Sequence, residues 1–303
     1  MALFVLGDTH LSLGGSKPMD VFPGWNGYVE RLEANWRKLV KPEDTIVLAG
    51  DISWAMRLTD TRRDFEFLQQ LPGQKLIMKG NHDYWWTTAN KMNAYLKAEG
   101  FDTLHILHNN SYSVEGYAIC GTRGWLFDVG EPHDEKVMNR EIGRLKMSLD
   151  AAEPGLEKLV FLHYPPVYTG TSAPEIVATL KAYGIRTCYY GHLHGNAIRY
   201  AVQGDVDGIH SRFGSTSFSR WNCCQLAACL ARSTAVSYSV RNHALHWCEV
   251  MSCTSFFHRS NGFRLPFESM SCRATSFCSR CVLNAANTAV LCRSALRKSS
   301  SGL

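Results

Sequence analysis

Along residues 1–210, short apolar runs alternate with longer stretches in which apolar side chains return every three or four positions. The runs Ala2–Leu6, Thr45–Ala49 and Lys75–Met78 predict short strands, largely buried on both faces. Between them, Val29, Leu32, Trp36 and Leu39 give one apolar face to a helix over Gly27–Val40. Phe65 and Leu68 do the same over Thr61–Leu71, which Pro72-Gly73 stops, and a third helix is predicted over Thr87–Glu99. The rhythm then changes. Thr103–Leu107, Ser111–Val114 and Tyr117–Cys120 read as short strands parted by turn residues. A long charged helix over Asp134–Ala152, a strand Leu159–Leu162, a helix Ala173–Tyr183 and a strand Arg186–Tyr190 follow. Ala197–Gln203 and Val206–His210 predict a closing hairpin across Gly204-Asp205. Strands and helices in this alternation call for an α/β fold.

Composition divides the chain. Residues 1–210 carry 21 Lys and Arg against 25 Asp and Glu, whereas residues 211–303 carry 11 against 2, so the net charge of +5 resides in the last third. Nine of the 11 cysteines lie there too. Beyond about Ser211 the strand–helix alternation stops and Ser, Cys and Arg dominate. The expected organisation is a domain over 1–210 and a Ser/Cys/Arg-rich tail over 211–303. The abrupt change resembles translation in a shifted frame, and that reading is preferred to a native domain. Its rival is a zinc-dependent nucleic-acid binder built on His243-x-x-His246 and Cys278-x-x-Cys281. The start of the chain is too short for a signal h-region, and no run approaches the ~18 apolar residues of a membrane span. Cys120 and Cys188, isolated within strands, suit reduced thiols. A cytoplasmic location, with neither membrane nor nucleic acid as partner, is expected.

The candidate chemistry sits at the ends of strands. Five of them run into Asp8-Thr9-His10, Gly50-Asp51, Gly80-Asn81-His82-Asp83, His163 and Gly191-His192-Leu193-His194. Adjacent polar residues after a buried strand cost desolvation unless they bind something, and the carboxyl edge is where open α/β sheets hold ligands. In His192-Leu193-His194 the alternate residues direct two imidazoles the same way. Oxygen and nitrogen donors without thiolate suit Mn, Fe or Zn, and the supply exceeds one tetrahedral site. Two ions roughly 3.5–4 Å apart that share a carboxylate fit better than one.

In this order the five blocks resemble the calcineurin-like metallophosphoesterases, over roughly residues 1–210. The resemblance implies a four-layer α/β/β/α sandwich of two mixed sheets with a dinuclear metal site at one edge. It implies one ion on Asp8, His10, Asp51 and His194, and a second on Asp51, Asn81, His163 and His192. It further implies a phosphoester hydrolase in which a metal-bridging hydroxide attacks phosphorus, with His82 protonating the leaving group. Asp83 is expected to orient the His82 ring. A catalytically silent binding protein on the same fold is the rival, set back by the presence of every ligand type.

One departure narrows the class. The protein Ser/Thr phosphatases of this family place Asp-Arg-Gly soon after Gly-Asp, whereas here Ile52-Ser53-Trp54 follows. Arg57 or Arg123 is a candidate replacement phosphate ligand, with a surface or structural role the preferred reading for either, and a phosphoprotein substrate is disfavoured. Loops rich in aromatics, Trp54, Trp85 and Tyr164 among them, are candidates to contact a small, nucleotide-like phosphoester, with a lining that packs the loops together as the equal alternative. Substrate identity, mono- or diester preference and oligomeric state are left open by the sequence.

Overall fold

The computed structural model describes residues 1–15, 17–127 and 133–214, together with two short strand segments, 282–284 and 289–291. His243, His246, Cys278 and Cys281 of the tail lie outside these residues. Packing divides the chain into Met1–Met251 and Ser252–Leu303.

In the first unit the chain runs β1 (Leu3–Leu6), α1 (Tyr28–Leu39), β2 (Thr45–Leu48), α2 (Arg62–Gln70), β3 (Gln74–Ile77), α3 (Ala89–Ala98) and β4 (Leu104–Ile106). These four strands form one sheet in the order β1-β2-β3-β4, every pair parallel. Then come β5 (Ser111–Val114), β6 (Tyr117–Thr122), α4 (Glu135–Asp150), β7 (Glu157–Leu162), a small hairpin of β8 (Val167–Tyr168) and β9 (Thr171–Ser172), α5 (Pro174–Ala182), β10 (Thr187–Tyr190), β11 (Gly204–Val206) and β12 (Ile209–Phe213). The second sheet has the order β11-β12-β10-β7-β6-β5, parallel in its centre and antiparallel at both edges. Only this sheet is mixed. The first is wholly parallel because each of its strands is followed by a crossover too long for a hairpin. In the second unit β13 (Val282–Asn284) pairs antiparallel with β14 (Ala289–Leu291).

Three apolar layers account for the four-layer sandwich. Leu3, Val5, Val47, Leu76 and Met78 of the first sheet meet Ile119, Leu159, Phe161 and Tyr189 of the second between the sheets. The opposite faces carry the helices: Leu32, Trp36, Phe65, Leu68 and Met92 cover the first sheet, and Met138, Leu145, Ile176 and Leu180 cover the second. Tyr28, Leu32 and Trp36 are buried at a helical spacing on α1, as the periodicity requires. Caps set the helix starts. The Thr88 hydroxyl accepts the Lys91 N–H at α3, and the Asp134 carboxylate accepts those of Lys136 and Val137 at α4.

The closing hairpin is displaced from its expected register. Residues Gly195–Tyr200 form a 3-10 helix rather than a strand, and the turn falls at Asp207-Gly208. Both turn residues are left-handed, at φ 54° and 82°. Asp-Gly favours the type I′ turn that two-residue hairpins need, whereas Gly-Asp does not. The last strand consequently runs to Phe213, beyond the boundary at residue 210 that composition marks, with Ile209, Ser211 and Phe213 buried in alternation.

Phe65, fully buried against Trp85 and Phe101, tests the packing of the first outer layer. Phe65→Ala is expected to destabilise the domain by about 3–5 kcal/mol, read as a lowered denaturant midpoint. The exposed Met147→Ala should stay within about 0.5 kcal/mol of wild type, and equal midpoints for the two would refute this placement of the core.

Candidate metal centre

The ladder between β1 and β2 does not stop at the strand ends. Asp8 N–H donates to the Gly50 carbonyl at 3.0 Å, His10 N–H to Asp51 at 2.9 Å and Leu11 N–H to Ile52 at 2.9 Å. This zipper holds Asp8 and His10 beside Asp51. From the second sheet, His163 follows β7 and His192 follows β10, so the expected edge is where two stacked sheets meet. Gly50 and Gly80 make that meeting close. A Cβ on Gly50, at φ 92°, would lie 2.7 Å from both the Gly80 backbone and the His163 ring, and one on Gly80 would collide with Asp51. Four non-glycine residues here hold left-handed backbone: Asp8 (φ 48°), His10 (44°), Asp51 (53°) and His192 (72°). Such strain persists only where surrounding structure over-determines it, and it clusters at functional sites.

Two groups of donors result, Asp8, His10 and Asp51 in one and Asp51, His163 and His192 in the other. Each group's ligand atoms lie within 4.8 Å of one another, and Asp51 belongs to both. His163 Nε2 is 2.6 Å from Asn81 Oδ1 and 3.6 Å from Asp51 Oδ2. His192 Nδ1 lies 3.0 Å from Asn81 Oδ1 and 3.2 Å from His163 Nε2. His194 is exposed on the rim, its ring centroid 5.7 Å from that of His10, outside both tight groups.

The electrostatics fit a cation. Burial and the neighbouring Asp51 raise Asp8 well above the usual carboxylate range, and burial pushes Asp51 up to about 6. Burial, reinforced by the surrounding histidines, lowers His10, and burial brings His163 down to about 3. The His10 and His163 imidazoles are therefore neutral at pH 7, the form that can bind a metal. His163 Nδ1 lies 2.9 Å from the Ala49 carbonyl. With its proton donated there, Nε2 turns a lone pair towards Asn81 Oδ1, acceptor facing acceptor. Asp8 Oδ2 and both ring nitrogens of His10 are buried with no hydrogen-bond partner. Divalent ions would satisfy these groups, and the oxygen–nitrogen donor set suits Mn, Fe or Zn.

The neighbours divide between site and core. The His82 N–H donates to Asp51 Oδ1 at 2.7 Å, while its ring stands 4.6 Å from Trp54 and 5.7 Å from His10. Asp83 does not orient that ring. It is buried, and its carboxylate accepts the backbone N–H groups of Asp51, Ile52, Ser53 and Gly80 and the indole of Trp85. It is thus a tie between the β2 and β3 loops. Burial and Asp51 push it up to about 7 against the pull of those donors. Trp85 is likewise misplaced as a substrate contact: it is 2% exposed and packs on Phe65 in the outer core. An indole with an internal acceptor for its N–H can be buried at no polar cost. Trp54 stacks on His10 at 5.0 Å, and Tyr164 lies 4.4 Å from His192, so both flank the centre. Arg57 points into solvent. Arg123 pairs with Glu141 and lies over the Trp125 ring, and its charge reaches Asp51.

The family model for calcineurin-like phosphoesterases matches residues 1–196. Structural comparison matches the chain to a protein of unknown function, AQ665, from Aquifex aeolicus (18% identity, 73% of this chain and 92% of that one, TM-score 0.39). It also matches the phosphopantetheinyl hydrolase of Mycobacterium tuberculosis (15%, 73% and 90%, 0.45) and TT1561 of Thermus thermophilus (16%, 63% and 81%, 0.41). Among curated proteins there is no match. The family match spans well over half of the chain and contains every strand end that meets at this centre, and the protein is accordingly a member of the calcineurin-like phosphoesterase family, a metal-dependent hydrolase of phosphoester bonds.

Proposed function

We propose that the chain hydrolyses a small phosphomonoester or phosphodiester at a pair of divalent ions that share Asp51. The observation that carries this reading is the membership of Asp51 in both buried donor groups. Asp8, His10 and Asp51, with His194 at the rim, would hold one ion, and Asp51, Asn81, His163 and His192 the other. When bound, such ions neutralise phosphoryl oxygens and make a water nucleophilic near neutral pH.

The chain's own residues supply the rest. The His82 N–H occupies Asp51 Oδ1, which fixes the carboxylate's orientation. The Ala49 carbonyl fixes the His163 ring. His82 is partly exposed beside the centre, and protonates the departing alkoxide as general acid. Trp54 and Tyr164 stand on opposite ligand groups and would cover the organic part of the ester, a nucleotide-like one included. Arg123 brings positive charge towards the phosphoryl group.

Initial rates on an aryl phosphodiester and the matching monoester, with added Mn²⁺, test the proposal. Asp51→Asn should cost at least about a hundredfold in kcat and lower the bound metal. Turnover persisting in that variant would end the proposal. His82→Ala should retain both metals yet lose about a hundredfold in kcat, and full activity would remove His82 from the mechanism.

Asp51 also predicts a pH dependence for the metal-free chain. It holds its proton up to about pH 6 when folded and only to about 3.9 when unfolded. The folded state thus binds more protons in that window, stability declines as pH rises from about 4 to about 6, and the loss remains above it. Asn cannot ionise. In EDTA at pH 8, Asp51→Asn should therefore be more stable than wild type by about 2–3 kcal/mol, with the gap shrinking towards pH 4. A lower thermal midpoint for the variant at pH 8 would contradict the assignment.

A further inference from the structure

A cavity of about 330 Å³ lies beside the metal centre and includes none of its candidate ligands. Its walls are built from segments that also build the centre. Lys79 precedes the Gly80–Asp83 turn and Trp86 and Thr88 follow it, Arg123 follows β6, and Glu141 and Arg144 face in from α4. The Arg123 carbonyl accepts the N–H groups of His163 and Tyr164 at 3.0 and 2.9 Å, so cavity and centre share a wall.

The lining is unbalanced in charge. Three cations stand against one carboxylate, an excess of two positive charges. Arg123 and Arg144 both donate to the same oxygen of Glu141, and Lys79 has no ion pair among the described residues. Water or an apolar group would leave this charge uncompensated. The ligand that answers it offers hydrogen-bond acceptors and carries about two negative charges.

We propose that this cavity holds a second phosphate of the substrate, separate from the one that is cleaved. The proposal rests on the phosphoesterase reading above and narrows its substrate class to esters that carry a further phosphate. The volume accommodates a phosphate with several attached atoms, and the shared wall keeps both groups within one small molecule.

Binding and turnover test this separately. Metal-free full-length protein in EDTA is titrated calorimetrically with inorganic phosphate, so that the metal centre contributes no binding. One site is expected, weakened about tenfold or more in Arg144→Gln, partly restored in Arg144→Lys, and unchanged in Met147→Ala on the same helix. With Mn²⁺ restored, kcat/KM is compared between an aryl monophosphate and its bisphosphorylated counterpart. Wild type should favour the bisphosphate about tenfold or more, and Arg144→Gln should bring the ratio close to one. Absence of phosphate binding to the metal-free protein, equal binding by Arg144→Gln, or no preference between the two esters would overturn the proposal. Phosphate bound by the cavity with no turnover of either ester would support the cavity and count against the hydrolytic reading instead.

Discussion

Burying carboxylates close together is the physical constraint on which this structure depends. Asp8, Asp51 and Asp83 are each at most 1% exposed at the junction of two sheets, where like charges in a poorly solvated site repel strongly. The chain meets this in two different ways. Asp83 is surrounded by five N–H donors and needs nothing from outside the protein. Asp8 and Asp51 are less fully provided: one oxygen of Asp8 has no partner, and Asp51 Oδ2 stands 3.8 and 3.6 Å from the His10 and His163 imidazoles. The first arrangement is architecture, and the second is a demand for cations.

The architecture serves the demand. By accepting the N–H groups of Asp51, Ile52, Ser53 and Gly80, Asp83 clamps the loops after β2 and β3 together. Gly50 and Gly80 let those backbones touch without a Cβ between them. The resulting geometry forces Asp8, His10, Asp51 and His192 into left-handed backbone, which L-residues adopt at a cost. Stability made in the three apolar layers is spent at this edge, a common bargain in catalytic sites.

Much of this was legible in the sequence. Apolar runs found β1 to β7 and β10 within a residue or two, because strands buried on both faces carry few polar residues. The five polar strand ends marked the candidate donors, since each lies within a few residues of the end of its strand. What stayed hidden depended on neighbours distant in the chain. Asp83 looks like a partner for the adjacent His82, yet its acceptors are filled from the β2 loop, some 30 residues away. Trp85 sits within an aromatic trio beside the site, and only the packing of Phe65 shows that it faces the core. The closing turn offered two Gly/Asp pairs whose order, not composition, decides which makes a hairpin. The basic cavity gave little signal: Arg123 stood out alone as a candidate phosphate ligand, whereas Lys79 and Arg144 come from other elements and read singly as ordinary surface charge.

The separation of the donors also bears on the order of events during synthesis. Asp8, His10, Asp51 and Asn81 are all made early, yet His163 reaches back 114 positions to the Ala49 carbonyl, and His192 reaches 184 positions to Asp8. A nascent chain therefore exposes the first-sheet donors of the candidate centre long before the second sheet exists to complete it. Loop closure over such distances is slow compared with local helix formation. If these donors hold metal, capture at full affinity would be a late event, reached once the two sheets have docked.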